Sequence, residues 1–251
     1  MFFDYMAKLV LNEKYLSLKD WVRDIPQNFE RSGEVIYNAR NQIRVFTLPD
    51  GQKVNVKRYR QPFFLNRVVY TFFRKPKAVR AYQYAFRLLE KGVSTPEPIA
   101  YILEKKCGLL AVSYLVTVQS PLKRNFYEFG KGPLEGRENI LVAFARFTAD
   151  LHKKGIYHKD YSPGNILFDV CGDEVDFTVV DINRMEFGEV SLEKGCKNFA
   201  RLWGRTDMFK LLAQVYASSM GYDQSRVEKL MLQYRNEFWK NKSRQKYEFL
   251  E

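Results

Sequence analysis

The sequence predicts an α+β protein of two lobes: a small antiparallel β-sheet lobe with one helix, followed by a larger, mainly helical lobe. Three observations carry that expectation. Short runs of strand character separated by turn residues occupy residues 34–118. One helical stripe, Ala78, Ala81/Tyr82, Ala85 and Leu88/Leu89, interrupts them. From Asn139 onward the apolar spacing becomes helical.

In chain order, Val35–Tyr37 and Ile43–Phe46 read as the first two strands. Pro49-Asp50-Gly51 is a turn signal leading into a third, Val54–Lys57, where Val54 and Val56 should point one way and Asn55 and Lys57 the other. Lys77–Lys91 reads as a helix, with Gly92 just past its end. Ile99–Val118 reads as two strands joined near Lys105–Gly108. Ile140, Phe144, Phe147 and Leu151 then form one helical stripe, closed by Gly155. Ile166–Phe168 and Phe177–Val180 read as a hairpin around an acidic, Gly172-containing turn spanning Asp169–Asp176. Arg205–Ser219 and Gln224–Trp239 read as amphipathic helices. The expected organisation is an N-terminal extension over 1–33, a β-rich lobe over 34–119 and a helical lobe over 120–251.

At 251 residues and 46% apolar composition, the chain is long enough and apolar enough for a packed core. No apolar run is long enough to span a bilayer, and Met1-Phe2-Phe3-Asp4 lacks a signal-peptide pattern. Cys107, Cys171 and Cys196 are scattered and odd in number, which points to a reducing compartment and to no metal spacing. The expected location is the cytoplasm, and the resemblance described below implies peripheral contact at the inner membrane. The net charge of +12 favours polyanionic partners, and no carboxylate occurs between Asp50 and Glu90. Nucleic acid is disfavoured, because no recognisable module accompanies the charge.

The chemistry is concentrated in His158-Lys159-Asp160, Asn165 and Val179-Val180-Asp181. Phosphoryl transfer needs such a set. One carboxylate orients an attacking hydroxyl and accepts its proton, while an amide and a second carboxylate hold Mg²⁺ through hard oxygens. Asp160 is the candidate base, and Asn165 and Asp181 are the candidate metal ligands. The hairpin between them would bring Asn165 and Asp181 to the same end. His158 reads as a residue that packs and hydrogen-bonds to shape the loop. The bland alternative is that Asp160 caps a turn, Asn165 makes an Asx-turn and Asp181 ends a strand.

Leu151-His152-Lys153-Lys154-Gly155-Ile156-Tyr157-His158-Lys159-Asp160 resembles the approach to the catalytic loop in the protein-kinase-like fold. Arg74–Tyr82 together with Leu88–Ala100 is similar to the lipopolysaccharide kinases of the Kdo/WaaP type, with related blocks in the RIO-type atypical kinases. The resemblance covers roughly residues 34 to 216. It implies a two-lobed protein-kinase-like fold, ATP and Mg²⁺ as cofactors, and Lys57 as the lysine that holds the α- and β-phosphates. A solvated strand lysine is the alternative for Lys57.

Three departures qualify the likeness. Asn38-Ala39-Arg40-Asn41 stands where a glycine-rich loop would cover the phosphates, so Arg40 and Asn41 either take over part of that work or form an ordinary hairpin turn. Ala81 stands where the helix glutamate facing Lys57 is expected. Asp181-Ile182-Asn183 replaces Asp-Phe-Gly, and only about two dozen residues separate Asp181 from the helix near Arg205, too few for a long switched activation segment. The leading expectation is an ATP-dependent kinase acting on a sugar hydroxyl, Kdo or a neighbouring sugar, of a lipopolysaccharide core. The alternatives are a RIO-like protein serine/threonine kinase, or a weakly active or non-catalytic nucleotide-binding module.

Overall fold

The computed structural model describes residues 5–39, 41–130 and 134–242. The chain divides into two compact units, the first ending at Pro121 and the second starting at Leu122.

The first unit opens with β1 (Tyr5–Leu11) and α1 (Lys19–Asn28). β2 (Glu34–Asn38), β3 (Asn41–Thr47) and β4 (Lys53–Tyr59) follow as a meander. α2 (Phe64–Val68) continues into a π-helical turn, Val69–Phe73, and α3 (Lys77–Glu90) comes next. β5 (Pro98–Lys106) and β6 (Leu109–Val118) complete the unit. All six strands form one antiparallel sheet in the order β1-β5-β6-β4-β3-β2.

The sheet is covered on both faces, and its burial pattern follows from that. Val54 and Val56 point to one face, where Val22, Ile25 and Phe29 of the α1 segment join them in one core. Tyr59 points to the other, where Ala78, Val79 and Tyr82 of α3 pack. β5 lies under both helices, so it is buried continuously from Pro98 to Glu104 instead of alternating. The first thirty residues, whose role cannot be read in the sequence, thus supply an edge strand paired with β5 and a helix that closes one core. Trp21 packs edge-on against Phe46 at 5.7 Å. Val22, Ile25 and Phe29 are almost fully buried, a contribution of about 1.5–3 kcal/mol each.

The second unit contains β7 (Arg124–Asn125), α4 (Glu138–Lys153), β8 (Ile156–His158), β9 (Ile166–Cys171), β10 (Glu174–Val179), β11 (Met185–Phe187), α5 (Leu192–Asn198), α6 (Thr206–Met220) and α7 (Gln224–Lys242). It is mainly helical, so the expected α+β class, a sheet lobe followed by a helical lobe, is the observed one. The expected turn over Asp169–Asp176 is narrower than the acids imply. β9 and β10 pair in unbroken register until only Gly172 and Asp173 remain between them, with Gly172 at φ +60°. Val170 and Val175 pair across the strands and extend the hairpin into the acidic stretch.

An aromatic core lies beneath the hairpin. Phe126 and Phe144 have ring centroids 4.0 Å apart, and Phe168, Phe177 and Phe199 close around them. α7 is held to the segment before α6 by Trp239 Nε1, which donates to the Leu202 carbonyl at 3.0 Å. The buried Arg235 lies over the Phe209 ring.

Candidate active site

His158 ends β8, and the loop after it is built on its imidazole. The Asp160 amide donates to Nδ1 at 3.1 Å, so Nδ1 is an acceptor and Nε2 carries the proton. Nε2 in turn donates to the Val180 carbonyl at 3.0 Å. Burial lowers the His158 pKa, which favours the same neutral form. One buried ring therefore ties the backbone of Asp160 to the residue before Asp181.

Asn165 supplies the second tie. Its Nδ2 donates to the Asp160 carbonyl at 2.8 Å, and its own carbonyl accepts from the Val180 amide at 3.0 Å. Its side-chain oxygen is the atom left for a cation. Asp181 follows directly after Val180 in the left-handed region, φ 55° and ψ 42°. A non-glycine residue rarely holds that conformation, at a cost of order 1 kcal/mol, and such strain concentrates at functional sites. Asn183 Nδ2 donates to Asp181 Oδ1 at 2.5 Å. The hairpin thus brings Asn165 and Asp181 to one end.

These oxygens fit Mg²⁺. Among the described residues no three His, Cys, Asp or Glu side chains cluster as a metal cage. Mg²⁺ does not need one, since it takes one or two protein oxygens and completes its octahedron with phosphates and water.

Two arginines that no sequence motif marks bracket the Asp160 carboxylate. Arg201 Nη1 lies 2.5 Å from Oδ1, and Arg184 Nη1 lies 3.9 Å from Oδ2. Arg201 also sits over the Phe238 ring at 5.3 Å, so α7 helps to fix it. Arg201 also lines a cavity of about 350 Å³, together with Tyr157, Lys159, Lys197, Tyr234, Glu237 and Phe238. Lys197 stands over the Tyr234 ring at 5.9 Å. Lys159 pairs with Glu186, which also pairs with Lys194 at 3.0 Å.

A buried polar chain supports the loop from below. Tyr216 Oη bonds His152 Nδ1 at 2.8 Å, His152 Nε2 donates to Asn198 Oδ1 at 3.0 Å, and Asn198 Nδ2 donates to the His158 carbonyl at 2.9 Å. Burial lowers the His152 pKa to about 4. Gly195 makes room for this chain, because a Cβ there would come within 2.2 Å of Tyr216 Oη.

The remaining candidates lie in the first unit. Lys57 is on β4, on the face where α3 packs, with Nζ 5.4 Å from the Tyr59 ring centroid. Asn41 pairs with Tyr59 in register and so shares that face. It lines a cavity of about 620 Å³ with Tyr59, Arg60, Asn66, Tyr70 and Lys77. Arg40 lies outside the described residues. Ala81 is on the buried side of α3, and Glu90, the helix's only carboxylate, is exposed at its end.

The family model of the lipopolysaccharide kinase (Kdo/WaaP) family matches residues 33–234. No curated protein matches in sequence. Among solved structures, WaaP in complex with acyl carrier protein aligns with a TM-score of 0.62 at 19% identity, covering 92% of this chain and 99% of that one. The Rio2 kinase of Chaetomium thermophilum, solved as an ADP/Mg²⁺-phosphoaspartate complex, aligns with a TM-score of 0.49 at 12% identity, covering 96% of this chain and 75% of that one. WbdD aligns with a TM-score of 0.49 at 15% identity, covering 79% of this chain and 44% of that one. At these identities the likeness to WaaP is one of fold.

Proposed function

We propose, for a chain that belongs to the lipopolysaccharide kinase (Kdo/WaaP) family and is therefore a kinase, that it transfers the γ-phosphoryl group of ATP to a sugar hydroxyl of the lipopolysaccharide core, on Kdo or a neighbouring sugar. The single observation that carries this reading is the bonding around His158, which joins Asp160, Asn165 and the residue before Asp181 in one rigid loop.

Asp160 orients the acceptor hydroxyl and takes its proton as the new P–O bond forms, while ADP leaves. Arg201 positions that carboxylate through their ion pair. Asn165 and Asp181 would hold Mg²⁺ through their side-chain oxygens, which would supply charge neutralisation at the transferred phosphoryl group. Lys57 holds the α- and β-phosphates, with Asn41 and Arg40 contributing where a glycine loop is absent. His158, neutral and enclosed, keeps the loop in shape and exchanges no proton.

The acceptor's class is supported by the cavity that Arg201 lines. Two lysines and an arginine, against the single carboxylate of Glu237, suit a carboxylate or phosphate on the sugar, and the rings of Tyr157, Tyr234 and Phe238 offer faces on which a sugar can pack. The chain's basic balance suits peripheral contact with an anionic membrane surface, where such a glycolipid is embedded. Among the described residues no helix is long and apolar enough to cross a membrane.

Mass spectrometry of core oligosaccharide from cells with and without the protein tests the reading. Loss of one phosphate from the core is the expected result. An unchanged core would redirect the search to protein acceptors.

A further inference from the structure

The segment Phe63–Phe73 reverses the usual arrangement of a surface helix. Two of its polar side chains, Arg67 and Thr71, face the protein. Arg67 Nε donates to the Leu110 carbonyl at 2.8 Å and Nη2 to the Lys106 carbonyl at 2.9 Å. Thr71 Oγ1 accepts from the Leu110 amide at 2.9 Å and donates to the Arg67 carbonyl at 2.6 Å. These bonds fasten the helix to the β5–β6 hairpin by its polar side. Phe63, Phe64, Leu65, Phe72 and Phe73 are left outward, from 67% exposed at Phe64 to 88% at Phe63. A soluble surface normally scatters single apolar residues, and five large ones on a single short segment mark an interaction site.

The charge around the patch selects the partner. Arg60, Arg74 and Lys75 flank it and are exposed, and no carboxylate occurs in the sequence from Gly51 through Leu89. Apolar tips ringed by cations match the two layers of an anionic bilayer, with rings entering the acyl boundary while lysine and arginine remain at the headgroups. We infer that the Phe63–Phe73 segment docks the protein on an anionic phospholipid membrane, with Phe64, Leu65, Phe72 and Phe73 inserted. The inference rests on the proposed glycolipid acceptor, which is itself held in a membrane. Docking of this kind confines the search for acceptor to the bilayer plane.

The test is flotation of the purified chain with phosphatidylcholine vesicles, with and without phosphatidylglycerol. Wild type should float with the anionic vesicles. A variant carrying Phe64→Ser, Leu65→Ser, Phe72→Ser and Phe73→Ser should bind them about tenfold less or worse. Its thermal midpoint and its phosphate transfer to a water-soluble, deacylated core saccharide should match wild type. That second assay scores the kinase reading separately, because it needs no membrane. Should the quadruple variant fail to fold, Phe73→Trp gives the reading instead, with emission shifting to the blue on vesicle addition. Wild-type flotation by the folded quadruple variant, no flotation by wild type, or unshifted Phe73→Trp emission would each overturn the inference. Binding to a soluble acidic protein without any binding to vesicles would overturn it as well.

Discussion

The two hairpins at the candidate ligand-contacting positions are built differently. β9–β10 pairs without a register shift, and its open end is fixed by the His158 ring, the Asn165 amide and the Val180 amide. β2–β3 is bulged between Val35 and Tyr37, and every residue of β2 is exposed. The hairpin that would carry the metal ligands, with the loop before it that would carry the base, is thus pre-organised by the chain itself. The one that would cover the nucleotide is tied by exposed side-chain bonds, Gln42 Nε2 donating to Asn38 Oδ1 at 2.8 Å and Arg44 pairing with Glu30 at 3.0 Å, and it has no glycine loop. Catalytic groups must be held near their productive geometry before substrate arrives, whereas groups that only cover phosphates can be ordered by the phosphates.

The largest effects should therefore fall on the β9–β10 side. Asp160→Asn and Asp181→Asn should each lower kcat by about 10³-fold or more with little change in thermal midpoint, read by transfer from radiolabelled ATP.

Acid should loosen the same side. Burial lowers the folded-state pKa of His152 from 6.5 to about 4, so the unfolded chain binds the proton first as pH falls. Stability from this group is full above pH 6.5 and lost between pH 6.5 and 4, by about 3 kcal/mol in all. His158, the only other histidine, is shifted in the same direction by burial. Thermal midpoints measured from pH 7 to pH 4 should fall for wild type, and less steeply for a folded His152→Gln variant.

Arg201→Ala should cost about tenfold to a hundredfold in kcat, because it frees the Asp160 carboxylate without removing it. Arg201→Lys should recover part of the loss, and the KM for ATP should hardly move. Asn41→Ala, at the nucleotide-side hairpin, should do least, with about a threefold rise in the KM for ATP and no change in kcat.

The contrast also explains what could be read in advance. The β9–β10 hairpin is legible because two short apolar runs, Ile166–Phe168 and Phe177–Val180, flank an acidic turn with Gly172, and Asp160, Asn165 and Asp181 lie within one short stretch. The buried face of α3 was legible from its period, including Ala81 in place of a glutamate. The Arg201–Asp160 pair was not, since it joins residues 41 apart and Arg201 sits in a short helical turn without a motif. The α1 cover and the β1 edge strand were missed for a related reason, because their meaning lies in pairing with β5 far along the chain. In the sequence, residues 63–73 stand out only for charge. Their apolar run shows its orientation once Arg67 and Thr71 are seen bonded to the β5–β6 hairpin.

On the proposed function, Asp160, with Asn165 and Asp181 beside it, performs phosphoryl transfer to a core sugar. Purified wild type and its Asp160→Asn variant, incubated with γ-labelled ATP, Mg²⁺ and core glycolipid, test it most directly. The account predicts one phosphate per glycolipid for wild type and none above background for the variant. Equal labelling by the folded variant, or no labelling of glycolipid by wild type, would contradict it.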